Sequence, residues 1–131
     1  EEFGKERTYG IVRKVIESLA LSAGEAASAA NGAGLASLQK NCIKNWNTDG
    51  ALNMKQIEET DGVLRFDVTR CRFAEIYREL GYGDIGELVS CDRDIAFIKG
   101  FDPCIEFTRT KTIMGGADRC DFCYTAKEEK C

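Results

Sequence analysis

A chain of 131 residues, 44% apolar and 31% charged, is long enough for one domain with its own hydrophobic core. Its formal net charge of −4 argues against nucleic acid, whose binding rests on concentrated Lys and Arg, and no run nears the roughly 18 apolar residues of a membrane span. The chain has no histidine, which excludes Ser-His-Asp and Cys-His catalysis and any His-ligated metal.

The first element is a helix within residues 5–30. Ile11, Val12, Val15, Ile16 and Leu19 recur at helical spacings and predict an apolar stripe. The Ala/Ser-rich continuation lets another element approach closely, and Asn31-Gly32 is its stop. Leu35, Leu38, Cys42 and Trp46 mark a second helix, with Trp46 as an anchor on the core. Residues 52–59 read as a weakly alternating strand, and residues 63–68 as a half-buried partner across Thr60-Asp61-Gly62. Thr69 is the expected N-cap of a third helix, which carries an apolar stripe of Phe73, Ile76, Tyr77 and Leu80 and stops at Gly81. A fourth helix starts at Asp84 and packs Leu88, Cys91, Ile95 and Ile98. Asp102-Pro103 turns into a strand at 104–113, with Ile105, Phe107, Arg109, Lys111 and Ile113 on one face. After a Gly115-Gly116 turn, residues 119–126 return with Cys120, Phe122 and Tyr124 on one face.

This order predicts an α+β fold: a four-stranded antiparallel sheet of two hairpins with about four helices packed on it. One domain over 1–131 is expected, with a helical part at 1–48 and a hairpin-helix-helix-hairpin unit at 52–126. The absence of an initial Met leaves room for a preceding segment, and no secretory signal is visible.

Seven cysteines lie within periodic helices and strands, not in a loop-rich framework. They read as reduced thiols in a cytoplasmic protein. Cys71 lies at a strand-to-helix junction, where amides and the helix dipole favour a thiolate; the alternative is a buried structural cysteine. Cys91 and Cys120 also face inward, as packing groups or as thiols meeting Cys71 at one end of the sheet. Arg109, on an apolar strand face, needs a carboxylate or an anionic ligand; Asp92, Asp94 and Asp121 are the candidate partners. Cys120 and Cys123 form a C-x-x-C whose thiols point to opposite strand faces, so no metal is expected, although a Cys-only site that adds Cys131 is a rival.

The segments RCRFAEIYRELG, LVSCDRDIAFIKGFDP and IEFTRTKTIMGGADRCDF resemble the L-2-amino-thiazoline-4-carboxylic acid hydrolase family. The family pattern matches at Cys71, Cys91, Asp94, Arg109, Thr112, Cys120, Asp121 and Phe122. It departs at Cys123, where a basic residue is expected, and at Arg119, where histidine is frequent. The closing G-x-x-x-C-x-F is also similar to the end of 4-vinyl reductase-type small-molecule-binding domains. The resemblance implies hydrolysis of a cyclic amidine to a carbamoyl-cysteine, without a cofactor. Cys71, Cys91 and Asp94 would then be catalytic, and Arg109, Thr112, Cys120 and Asp121 would bind substrate. The expected partner is a small-molecule substrate, with neither nucleic acid nor membrane, and an oligomer is left open. The rival readings are a non-catalytic binding module or subunit of a larger complex, and a Cys-liganded metal domain.

Overall fold

The computed structural model describes residues 4–127. Four helices and four strands follow one another as α1 (Lys5–Asn31), α2 (residues 35–46), β1 (Leu52–Glu59), β2 (Val63–Cys71), α3 (Arg72–Glu79), α4 (residues 83–101), β3 (Ile105–Thr108) and β4 (Cys120–Ala126). The strands form one sheet in the order β1-β2-β4-β3, every neighbouring pair antiparallel. The expected α+β architecture is the one observed.

Alternation along β2 and β4 builds the core. Leu64, Phe66 and Val68 lie opposite Tyr124, Phe122 and Cys120, and all six are buried. Phe66 stacks on Phe122 with ring centroids 4.7 Å apart, and Phe107 stacks on Tyr124 at the same distance. Such cross-strand pairs are the stabilising unit of a sheet. Leu35, Leu38, Cys42 and Ile43 of α2 and Ile98 and Phe101 of α4 close the core over this face. The other face carries Arg65, which is exposed, and Asp67 and Asp121, which are half-buried. Two register shifts in the β1–β2 pairing account for the poor alternation of residues 52–59.

Several expected features differ. The α1 stripe is not buried: Ile11, Val15 and Leu19 are exposed. The helix packs instead through its small residues. A Cβ on Gly24 would lie 2.1 Å from the Phe97 carbonyl oxygen, and one on Gly100 would lie 2.1 Å from that of Leu21, so α1 and α4 touch backbone to backbone. The α3 stripe is also largely outside, with Phe73, Ile76 and Leu80 exposed. This short helix sits at the sheet end, with Ala74 buried and Tyr77 against Gly86. Ile95 is exposed as well, because Glu87–Cys91 is π-helical and breaks the 3.6-residue phase from which it was placed. β2 runs through to Cys71, so Cys71, not Thr69, is the N-cap of α3. β3 ends at Thr108, short of the expected 113, and Lys111 is exposed.

Candidate active site

A cavity of about 300 Å³ opens between α2, α4 and the end of the sheet where β2 passes into α3. Cys71, Cys91, Asp94, Arg109 and Cys120 all line it. So do Trp46, Phe73, Phe97 and Phe122, which with Leu52 and Val68 make an apolar, partly aromatic wall around a small charged centre, the usual character of a small-molecule site.

At its centre is one ion pair, and Arg93, also in the lining, is exposed. Arg109 Nη1 donates to Asp94 Oδ2 at 2.9 Å, and Nη2 donates to the Cys91 carbonyl at 2.9 Å. The guanidinium carbon lies 5.2 Å from the Phe107 ring centroid and 5.1 Å from that of Phe122, within cation–π range. The Arg109 side chain is 7% exposed and that of Asp94 20%. A buried pair of this kind costs desolvation, which the ring faces and the Cys91 carbonyl help to offset. Burial pushes the Asp94 carboxyl up to about 6, against the charge and hydrogen bond of Arg109. Of the three carboxylates expected near Arg109, Asp94 is thus the partner. Asp92 lies 3.9 Å from Arg13, and Asp121 is hydrogen-bonded to the turn after β3.

The thiols differ in surroundings. Cys71 Sγ accepts a hydrogen bond from the Ala74 amide at 3.4 Å, capping α3. Its neighbours Arg70 and Arg72 are turned to Glu75, at 2.9 and 3.2 Å. Burial pushes the Cys91 thiol up to about 12, with Arg109 opposing, and burial also raises Cys120. Cys120 Sγ accepts from the Ile113 amide at 3.1 Å.

Thr112 and Asp121 are not among the lining residues. Thr112 Oγ1 accepts from the Gly115 amide at 2.9 Å and shapes the turn before β4. Cys123 is half-buried on the face of β4 opposite Cys120, as the alternation predicted. No group of three or more Cys, Asp or Glu among the described residues is arranged to hold a metal, and Cys131 lies outside them. Among the described residues the free thiols are Cys42, Cys71, Cys91, Cys120 and Cys123; Cys104 is disulfide-bonded, which corrects the expectation of reduced thiols at that position. Among the described residues no helix is long and apolar enough to cross a membrane.

Sequence reasoning missed most of the aromatic wall. Trp46 was placed as a core anchor from its helical spacing, and Phe97 had no distinguishing signal, since an apolar residue on a helix reads as core. Comparison with curated proteins and with solved structures found no significant match. The family model described as L-2-amino-thiazoline-4-carboxylic acid hydrolase matches residues 1–124. That span takes in every strand but the end of β4, all four helices and the whole cavity, and the chain therefore belongs to the L-2-amino-thiazoline-4-carboxylic acid hydrolase family.

Proposed function

We propose that this chain hydrolyses a cyclic amidine, 2-amino-thiazoline-4-carboxylate or a close analogue, to a carbamoyl-cysteine. One observation carries the reading beyond family membership: Cys71, Cys91, Asp94, Arg109 and Cys120 share one cavity. Arg109 uses two of its five N–H donors on Asp94 and Cys91, and its remaining donors suit a substrate carboxylate. Asp94 accepts from the amidinium, which makes the ring carbon between nitrogen and sulfur more electrophilic. The zwitterion is thus complementary to the ion pair at both ends. Cys71 is the nucleophile of choice, because the Ala74 amide points at its sulfur, whereas burial disfavours a thiolate at Cys91.

Attack by the Cys71 thiolate forms a carbon–sulfur bond to the ring carbon. The tetrahedral intermediate collapses by breaking the bond to the ring sulfur, which leaves as a thiolate and takes up a proton. Water then attacks the same carbon, the Cys71 sulfur is expelled, and the amidine carbon becomes a urea carbonyl. Cys91 and Cys120 line the pocket in this scheme, while Thr112 and Asp121 act from outside it. Five unpaired cysteines among the described residues support a cytoplasmic setting, and the Cys104 disulfide counts against it.

The product carries a new thiol, so the test is thiol release from 2-amino-thiazoline-4-carboxylate by purified wild-type protein and by single Cys-to-Ser variants. Release by wild type that is lost in Cys71→Ser is expected; full activity in every variant removes the covalent scheme. A binding module without turnover is the second reading, favoured by the Asp94–Arg109 pair, in which each charge already has its counter-ion. Saturable ligand binding with no thiol release would select it.

A further inference from the structure

The loop that brings Arg109 into the cavity is gripped from the far side of the sheet. Beyond Thr108 the chain turns back over the start of β4, and Asp121 takes the turn's amides. Thr110 N and Lys111 N each donate to Asp121 Oδ1 at 2.9 Å, and the Thr110 hydroxyl donates to Oδ2. The adjacent Cys120 sulfur accepts from the Ile113 amide. Two consecutive residues of β4 therefore hold both ends of the segment 110–113, and Arg109 precedes it directly.

Strand alternation decides which side Asp121 serves. Cys120 and Phe122 line the cavity, so Asp121 between them faces the opposite side, where it lies across from Asp67. A ligand in the cavity would be separated from this carboxylate by the sheet itself. Partial burial pushes the Asp121 carboxyl up, and the hydrogen bonds from Thr110 and Lys111 more than offset this, leaving it below the ordinary carboxylate value.

We infer that Asp121 is a positioning residue: it sets the 109–111 turn so that the Arg109 guanidinium stays between Asp94 and the Phe107 and Phe122 rings, and it does not touch the substrate. The inference rests on reading Arg109 as the anchor of the substrate carboxylate, yet its first test needs no substrate. Amide hydrogen exchange at Thr110 and Lys111, and the NMR signal of the Arg109 guanidinium, are compared in wild type, Asp121→Ala and Asp121→Asn. In Asp121→Ala, exchange should rise roughly tenfold or more, as expected when hydrogen bonds to a charged acceptor are lost, and the Arg109 signal should shift. Asp121→Asn keeps an acceptor oxygen for both amides and should leave the Arg109 signal in place. An unmoved Arg109 signal in Asp121→Ala overturns the proposal. Should Asp121→Ala fail to fold, Asp121→Ser, whose hydroxyl is too short to span both amides, takes its place with the same two outcomes.

Turnover supplies the second arm. kcat/KM for thiol release should fall about tenfold in Asp121→Ala and stay within about threefold of wild type in Asp121→Asn. In an Arg109→Lys background Asp121→Ala should cost almost nothing further, because both act through one group. Equal losses in Asn and Ala would mean that the charge itself meets substrate, and would overturn the positioning role. If wild type shows no turnover, the proposed reaction fails while the exchange and NMR comparison still decides the role of Asp121.

Discussion

The amide of Ala74 points at the Cys71 sulfur, so substitutions there separate fold from chemistry. Serine is a preferred N-cap, and Cys71→Ser is expected to hold stability within about 0.5 kcal/mol, whereas Cys71→Ala costs about 1 kcal/mol. Urea denaturation reads that difference. Thiol release should nevertheless fall by about 100-fold or more in both variants, since both lose the proposed nucleophile. Asp94 gives a pH signature. Burial pushes its carboxyl up to about 6, so the charge proposed to hold the amidinium is lost as pH falls through about 6. The kcat/KM profile of wild type should bend downward there, and the bend should vanish in Asp94→Asn. The stability sign is the opposite. The folded value lies above an unfolded one of about 4, so the ionised carboxylate costs stability above pH 6, and protonation relieves that cost between about pH 6 and 4.

At the scale of elements, the crossing of α1 and α4 is made by absent side chains. Gly24 and Gly100 let the two backbones meet, and α4 then carries Cys91 and Asp94 to the cavity. Gly24→Ala would place a methyl group 2.1 Å from the Phe97 carbonyl oxygen and should destabilise by about 2 kcal/mol or more. Gly10→Ala, on the same helix with nothing within 4 Å of the added carbon, should be neutral or stabilise by up to about 1 kcal/mol. Chemical denaturation of the two variants side by side checks the contrast. If Gly24→Ala were as stable as Gly10→Ala, the close helix contact would not exist in solution. The π-helical turns matter in the same way. One precedes Trp46 in α2 and one ends at Cys91 in α4, so α2 reaches the cavity just after an irregular turn and α4 from within one.

For the molecule as a whole, the cavity is where α2 and α4 meet the end of the sheet, and Trp46, the one tryptophan of the sequence, stands in its wall. Its emission should therefore change saturably when 2-amino-thiazoline-4-carboxylate binds. Arg109→Lys should weaken that binding about tenfold, because an ammonium cannot reproduce the planar fork of donors. Unchanged affinity in this variant would remove Arg109 as the anchor. The order of helices and strands, both hairpins and the inward faces of β2 and β4 were readable directly from the residues, because periodicity and turn chemistry are local. The strand-to-helix position of Cys71 and the awkward placement of Arg109 were readable for the same reason, and the family motifs follow from residue identity. What local pattern could not supply was the end of each element and the phase beyond it. β3 stops where Asp121 captures the amides of Thr110 and Lys111, and the inward set of α4 shifts from Ile95 to Asp94 past a π-helical turn. Ile11, Val15 and Leu19 of α1 face solvent because small residues, not large side chains, make its contact with α4. Each of these depends on a partner distant in sequence. Residue types and their spacing therefore determined which groups were available, and long-range packing alone decided that Asp94, among three eligible carboxylates, meets Arg109 beside Cys71.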